Sequence, residues 1–469
     1  MKKIVLTFAA LAATATCFAG GLLTNTNQHA AFLRNPSRQA IIGIEGVYTN
    51  PAGVAFMPQG FHLGVTWQAA MQKRQLSVNN PLFMKNANNQ SASRYYEGKA
   101  TAPVIPSIQA AYVINDKWSV SANFAVAGGG GKCEFEQGLP MFEELVYSVF
   151  NTALSGTPTG FQNYSFNQSL TGEQYFYGLQ LGATYKVTEN FSVFGGVRGI
   201  LANSIYSGNI NNIKVNGLGA AEYEGAAEKY AALGMAADAE GARSMAFLTS
   251  DYKLDCEQNA IGFQPIIGAN LKLGKLNIGA KYEFRAKINL ENESNNSPNL
   301  IFLATEKKVT EIRPFLDGES VRSDIPALFT IGAQYEITEN IRAMAGVNYY
   351  FDKDAKGSAT AVSDDTYEIT LGGEWDINDK WTVGLGGQRT KYGFAAADMK
   401  DTNFNISSYG LCVGGAYKFS EKLKLNFGYM HTFYEDHKFE KVLVPGKLNA
   451  ACNYTRKNDV VGVSLDFKF

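Results

Sequence analysis

Six times along this chain, a run of alternating apolar and polar residues meets a short polar turn and a second alternating run begins. The junctions are YVINDKWSVSANF at Tyr112, YKVTENFSVFGGV at Tyr185, LKLGKLNIGAKY at Leu271, YEITENIRAMAGV at Tyr335, EWDINDKWTVGLGG at Glu374 and YKFSEKLKLNFGY at Tyr417. Tight polar turns between runs of period two are β-hairpins. From Leu276 to Ile288 the alternation is strict: Leu276, Ile278, Ala280, Tyr282, Phe284, Ala286 and Ile288 against Asn277, Gly279, Lys281, Glu283, Arg285 and Lys287. A strand of this kind puts one face on something apolar and wets the other. The same split recurs at 61–71, 175–187, 325–337, 367–377 and 461–469.

Six hairpins with one strand before and one after predict an all-β chain of about fourteen strands. We place them at 60–73, 104–114, 117–128, 172–187, 190–202, 258–273, 276–290, 325–337, 340–352, 366–377, 380–393, 406–419, 422–434 and 456–469. Short turns at one end and long connections at the other (74–103, 129–171, 203–257, 291–324) are the pattern of a transmembrane antiparallel β-barrel with its long loops outside the cell. A soluble β-sandwich is the competing reading, and two features oppose it. Apolar positions near the turns are aromatic (Tyr112, Trp118, Tyr185, Phe191, Tyr335, Trp375, Trp381, Tyr417), as an interfacial girdle requires. The opposite face carries Arg198, Lys281, Arg285, Glu374 and Asp466, which a dry core would reject. Leu465, Phe467 and Phe469 are in phase at the end, like the terminal signal read by barrel-insertion machinery.

Composition changes this picture little, and the first residues set the compartment. Lys2 and Lys3, the apolar stretch Ile4–Ala15 and small residues before Gly20 read as a secretory leader over 1–19. A lipid anchor at Cys17 is the alternative, for which Thr16 is a poor neighbour. The formal net charge of −1, more acidic once the leader is gone, argues against nucleic acid as a partner. After Gly20 no apolar run approaches the ~18 residues of a transmembrane helix. Cys133, Cys256, Cys412 and Cys452 show no ligand-like spacing, and both paired and free thiols fit an exported chain. The expected location is the bacterial outer membrane.

Residues 20–58 precede the first strand and lack its alternation. Two Asn-Pro pairs favour turns there, and Leu22, Leu23, Phe32, Leu33, Ile41, Ile42, Ile44, Val54, Phe56 and Met57 favour a packed plug. A hatch carrying Asn50-Pro51-Ala52 ahead of fourteen strands resembles the FadL/TodX family of fatty acid and aromatic hydrocarbon channels. The stretch APVIPSIQAAYVINDKWSVSANFAVAGGGG from Ala102 is also similar to that family's second and third strands. The resemblance implies passive uptake of a hydrophobic ligand: capture among outer loops, transfer to an internal pocket, and sideways exit through a kinked third strand into outer-membrane lipid, by a monomer without cofactor.

Candidate residues follow from pattern and resemblance together. Phe142, Leu145, Val146, Val149, Phe150 and Ala153 lie on one face of a helix in the second long loop. Such a face is either a ligand groove or the inside of a lid, and the alanine-rich 219–247 shares that ambiguity. Strand phase points Arg198, Lys281, Arg285, Lys287 and Arg342 into the lumen, to hold a carboxylate headgroup or to pair with Glu283, Glu336, Glu368 and Glu374. Gly128, Gly129, Gly130 and Gly131 end the third strand, where a ladder breaks easily, and mark the expected lateral opening, its unpaired edges covered by hatch or loop. No enzyme is expected: HExxH and GxSxG are absent, and the glycine run before Lys132 lacks the phosphate-loop positions. A barrel lipase fails because His431 falls in the lipid-facing phase, and no metal cluster is apparent. The alternative reading is a general diffusion porin or a surface adhesin, and an apolar hatch opposes the porin.

Overall fold

The computed structural model describes residues 22–357, 362–395, 399–444 and 448–469, so the leader expected at 1–19 lies outside the described residues. β1 (Gly60–Asn79), β2 (Ser93–Val113), β3 (Trp118–Phe135), β4 (Tyr164–Lys186), β5 (Phe191–Val215) and β6 (Tyr252–Leu273) run up and down as neighbours. The seventh strand comes in two pieces, β7 (Leu276–Glu283) and β8 (Asn289–Ser294), as does the eighth, β9 (Ser320–Arg322) and β10 (Ala327–Glu336). Then follow β11 (Ile341–Phe351), β12 (Thr366–Asp376), β13 (Trp381–Lys391) and β14 (Ser408–Ser420). β15 (Leu423–Tyr434), continued by β16 (His437–Val444), pairs with β17 (Leu448–Lys468). β17 returns to β1, from His62↔Lys468 to Asn79↔Ala451, and closes a fourteen-stranded antiparallel barrel. Closure leaves no lateral edge, which is the condition for a sheet to cross a bilayer.

Period two decides which side chains meet lipid. Trp67, Ile108, Leu179, Leu201, Ile261, Leu371 and Leu385 stand exposed on the outer face, while their strand neighbours Gln68, Gln109, Gln180, Thr370 and Gln388 are buried inside. At the short-turn end the outward aromatics pair across strands, Trp118 with Tyr185 and Trp381 with Tyr417, both at 4.7 Å between ring centroids. None of the described helices is long and apolar enough to cross a membrane; the strands do so. All four cysteines of the described residues are buried and unpaired.

The expected boundaries hold near the short turns and fail near the loops. β4, β5 and β6 run on past the lipid band to 23, 25 and 22 residues. A larger correction concerns the seventh strand, expected as one run over 276–290. Its ladder with β6 stops at Ile266↔Glu283 and resumes at Asn259↔Glu291. In between, the side-chain phase inverts: Ala286 and Ile288 are fully buried inside, and Lys287, expected in the lumen, faces out. The sequence alternation continues through this stretch, but the backbone leaves the ladder and turns the other face inward. Arg285 sits at that break, partly exposed, donating to the Asp354 carbonyl and 3.7 Å from Asp324, so its expected place in the lumen is not what is found.

Residues 22–58 fill the lumen as the hatch, with α1 (Ala30–Arg34), α2 (Gly46–Thr49) and a 3-10 turn over Pro51–Phe56. Glycines on the inner wall let it approach: a Cβ at Gly279 would stand 2.2 Å from the Gln39 carbonyl oxygen, and one at Gly428 2.7 Å from the Leu33 Cβ. α3 (Pro140–Ala153), α4 (Ala220–Ala232), α5 (Ala236–Thr249) and α6 (Pro298–Thr305) all lie in the long loops at the other end. A closed ladder of this kind is expected to survive denaturing detergent until boiled. Unheated protein should migrate anomalously on a gel and show a β-dominated circular dichroism spectrum. A mainly helical spectrum would contradict the architecture.

Candidate functional site

The apolar helix face expected in the second long loop is that of α3, and it turns inward. Phe142, Leu145, Val146 and Phe150 are buried, and Val149 packs against the same cluster half-buried. Met141, Phe142 and Leu145 line a small apolar cavity of about 30 Å³ with Ile210, Tyr252, Leu254, Leu300 and Ile312. The helix is held over the barrel mouth by its two acids. Glu143 accepts from Arg94 at 3.0 Å, from the Tyr96 and Tyr164 hydroxyls at 3.1 and 3.0 Å, and from Asn86 at 2.8 Å. Glu144 pairs with Lys441 at 2.7 Å and accepts from Asn80 at 3.1 Å. Buried carboxylates with their acceptor sites filled in this way fix a segment in one position. α4 and α5 pack on each other, and α5 lays Met245 and Leu248 on the cluster below, which is the lid arrangement.

That cluster does not stop beneath α3. It runs as one set of touching side chains from Phe142 and Leu145 down the inner faces of β1, β2 and β3 to Ala102, Ile105 and Val126. There the sheet is interrupted. The β2–β3 ladder lapses between Thr101↔Lys132 and Ser107↔Ala125. On β3, Gly129 and Gly130 take φ of +67° and +105°, and bulges fall on either side of Gly128–Gly129 opposite β4. Only glycine adopts such angles without strain. On β2 the stretch contains Pro103 and Pro106, which bring no N–H to a ladder.

The hatch covers the exposed edge of β3. Asn25 N–H donates to the Ala127 carbonyl at 2.9 Å, Gly129 N–H to the Leu23 carbonyl at 3.1 Å, and the Asn25 side-chain amide to the Val126 carbonyl at 3.0 Å. Thr24 thereby bridges Gly128 as a short added strand. A Cβ on Gly128 would stand 2.8 Å from the Leu23 carbonyl oxygen, so the hatch approaches only because the residue has none.

Two buried ion clusters fasten the rest of the hatch. Glu374 on β12 receives Arg34 at 2.7 Å, Arg38 in close contact, and Arg342 at 2.8 Å. Arg34 also donates to the Gly415 carbonyl and to Asn426. Across the lumen Glu283 receives Arg198 and Lys281, each at 2.6 Å. Arg198 further meets Gln180 and Gln264, and Lys281 donates to the Tyr48 carbonyl at 2.8 Å beneath the Tyr48 ring. Both of these expected lumenal cations are therefore already partnered by Glu283 and turned toward the hatch. Arg34, Arg38 and Glu374 as a hatch lock were not legible, because residues more than three hundred positions apart meet there.

Asn50, Pro51 and Ala52 sit at the hatch floor. The fully buried Asn50 amide donates to the Ile41 carbonyl at 3.1 Å and lies 2.7 Å from the Asn270 amide of β6. Thr184 and Ser192 hydroxyls donate to the Pro51 and Ala52 carbonyls at 2.9 and 2.6 Å. Each lost buried hydrogen bond leaves a group unpaired at roughly 1–3 kcal/mol. Asn50→Ala is accordingly expected to loosen the hatch and slow hydrophobic uptake while the barrel stays folded. Unchanged uptake at equal surface expression would refute that role.

His29, Glu45 and Asp466 place ligand atoms within 4.8 Å of one another. His29 Nδ1 accepts from the Ala31 N–H at 3.1 Å, which leaves the ring proton on Nε2, 3.0 Å from Asp466. That tautomer makes a hydrogen bond to the carboxylate and offers no lone pair to a metal. His431 faces outward beside Asp459, away from the lumen.

Comparison with known proteins agrees with this geometry. Residues 307–469 match the family model of the outer membrane protein beta-barrel domain. No curated protein matches by sequence. A Pseudomonas aeruginosa FadL homologue superposes with a TM-score of 0.66 at 16% identity, over 96% of this chain and 100% of that one. The P. putida toluene transporter TodX gives 0.52 at 15%, over 92% and 97%, and the Ralstonia pickettii toluene transporter TbuX 0.50 at 14%, over 99% and 100%. The chain is an outer-membrane β-barrel with the hatch-plugged, fourteen-stranded fold of the FadL/TodX channels.

Proposed function

We propose that this protein passes hydrophobic molecules of the fatty acid or aromatic hydrocarbon class from the outer medium into the outer membrane, without catalysis or cofactor. The carrying observation is the unbroken apolar cluster that links the α3 cavity to the lapse in the β2–β3 ladder. A ligand bound at Phe142 and Leu145 keeps apolar contact down to Ile105 and Val126, at about 25 cal/mol for each Å² kept from water. Leaving through the wall preserves that gain; crossing the hatch would forfeit it. In this reading Leu23–Asn25 is the movable cover of the exit, and Arg198 and Lys281 hold the hatch floor rather than a ligand headgroup. The buried hatch also speaks against the porin alternative.

Liposomes bearing the purified protein supply the test. Labelled long-chain fatty acid or toluene should enter them many times faster than empty liposomes, while sugars should cause no swelling. Robust sugar-driven swelling with no gain for either hydrophobic probe would overturn the reading in favour of a porin.

A further inference from the structure

The wall has a second breach, four strands away from the first and of nearly the same size. Between Ile266↔Glu283 and Asn259↔Glu291, β6 stays paired with β5 but has no ladder on its β7–β8 edge, where the Phe284 N–H reaches across to the Pro265 carbonyl at 3.0 Å. The chain after Phe284 pairs on its other side instead, Ala286 with Ile325 and Ser323 with Ile288. Behind the breach lies a small apolar cluster, distinct from the one under α3, made of Leu23, Phe176, Ile200, Ala202, Ile288 and their neighbours.

On the outer face the breach is a recess of about 670 Å³. Its outward walls are Leu201 and Ile261, exposed at 60% and 66%. Its floor is Ala202 and Ala260, which by strand phase point inward and which touch the inner cluster. A recess lined by outward and inward residues alike cuts into the wall where the ladder is missing. Above it the rim turns polar, with Asn259, Lys287, Asn289 and Glu291 facing out beside Asn203. The apolar part lies within the lipid band and the polar part toward the loop end, so the polarity runs in the same direction as that of an outer-leaflet amphiphile.

We infer that this recess binds one alkyl chain of an outer-leaflet amphiphile, lying on Leu201 and Ile261 and reaching Ala202 and Ala260, with its polar head beside Lys287 and Asn289. Ile288 is the inner stop. A Cβ added at Gly262 would stand 2.9 Å from its Cγ1, so the side chain leans into the space that the missing ladder leaves. The chain fills a stretch of sheet edge that lipid alone would leave bare. The site does not require transport and lies four strands from the lapse at β2–β3, although Leu23 of its inner cluster also covers that lapse.

A long-chain fatty acid bearing a diazirine, incorporated with the full chain into nanodiscs and irradiated, tests this. Adducts mapped by mass spectrometry are expected on the peptides holding Ala260–Ile261 and Ala286–Asn289, well above those on the equally exposed Leu371 and Leu385. Gly262→Val overfills the breach and should cut the breach adducts about tenfold while sparing those at Leu371 and Leu385. Leu201→Asn, on the outer face, makes the same test without touching the interior, and heat-dependent gel mobility reports that each variant has folded. Uniform labelling of the whole lipid face, or breach labelling indifferent to both substitutions, overturns the inference. Breach adducts in a protein that carries no hydrophobic probe would defeat the transport reading and leave this one standing.

Discussion

Glu374→Ala is expected to free the hatch and turn a closed barrel into an ion-conducting one. Two hatch guanidiniums, Arg34 and Arg38, and the barrel's Arg342 converge on this one buried carboxylate. Arg342 keeps Asp376 at 2.6 Å, and Arg34 keeps Asn426 and the Gly415 carbonyl. Arg38 keeps hatch carbonyls and Glu45 at 3.9 Å, so it loses its charged partner on the wall. Removing one member of a buried ion cluster costs roughly 3–5 kcal/mol, because the remaining charges stay buried without compensation. At about 1.4 kcal/mol per factor of ten, the undocked hatch gains two to three orders of magnitude in population. Single-channel recording in planar bilayers reads this directly: the native protein should be nearly silent and the variant should show frequent openings. A folded Glu374→Ala barrel as silent as the native one would show that the hatch is held by other contacts.

The second large effect concerns the exit. Gly129→Val with Gly130→Val is expected to abolish transport while ligand capture in the α3 cavity survives. At φ of +67° and +105° neither position accommodates a β-branched residue, and a Cβ at 129 would stand 2.6 Å from the Gln174 carbonyl oxygen. Holding such a conformation costs about 1–3 kcal/mol at each residue. Straightening β3 relieves the strain, and a straight β3 displaces Leu23–Asn25 from the edge and narrows the lapse opposite β2. Pro103 and Pro106 keep that ladder from closing fully. Equilibrium binding of a fluorescent fatty acid should stay within about threefold of native, since the cavity is untouched, while release into lipid falls to background. Normal release from a correctly inserted double variant would rule out this exit.

How much of this was readable beforehand follows from the range over which each signal acts. The hairpins were legible because a two-residue period and a polar turn are local. The helix face of α3 was legible for the same reason. The break after Glu283 was not, since Ala286 and Ile288 continue the alternation of Leu276–Tyr282 while pointing the other way. A change of backbone direction leaves no mark on a pattern of residue types. The glycine run of β3 marked the lapse in the ladder on one side only. Its counterpart on β2 was written in Pro103 and Pro106, two residues that a central strand rarely carries. Assigning Arg285 to the lumen failed with the strand phase, and the partners of Arg198 and Lys281 depended on which acid the closed barrel would bring beside them.

The lengths of β4, β5 and β6 have a mechanical consequence. About 9–11 tilted residues cross a bilayer, yet these strands have 23, 25 and 22. At ~3.4 Å per residue and a tilt near 40°, the surplus lifts one side of the barrel roughly 30–40 Å above the lipid. β11, β12 and β13, at 11 residues each, end near the membrane surface. The mouth is therefore cut obliquely, like a scoop with a tall back. Ile210, Tyr252 and Leu254, which line the α3 cavity, belong to that back. Its shape is set by a hydrogen-bonded sheet standing in water, so changes in membrane thickness or fluidity should leave the geometry of the α3 cavity unaltered while they strain the wall below.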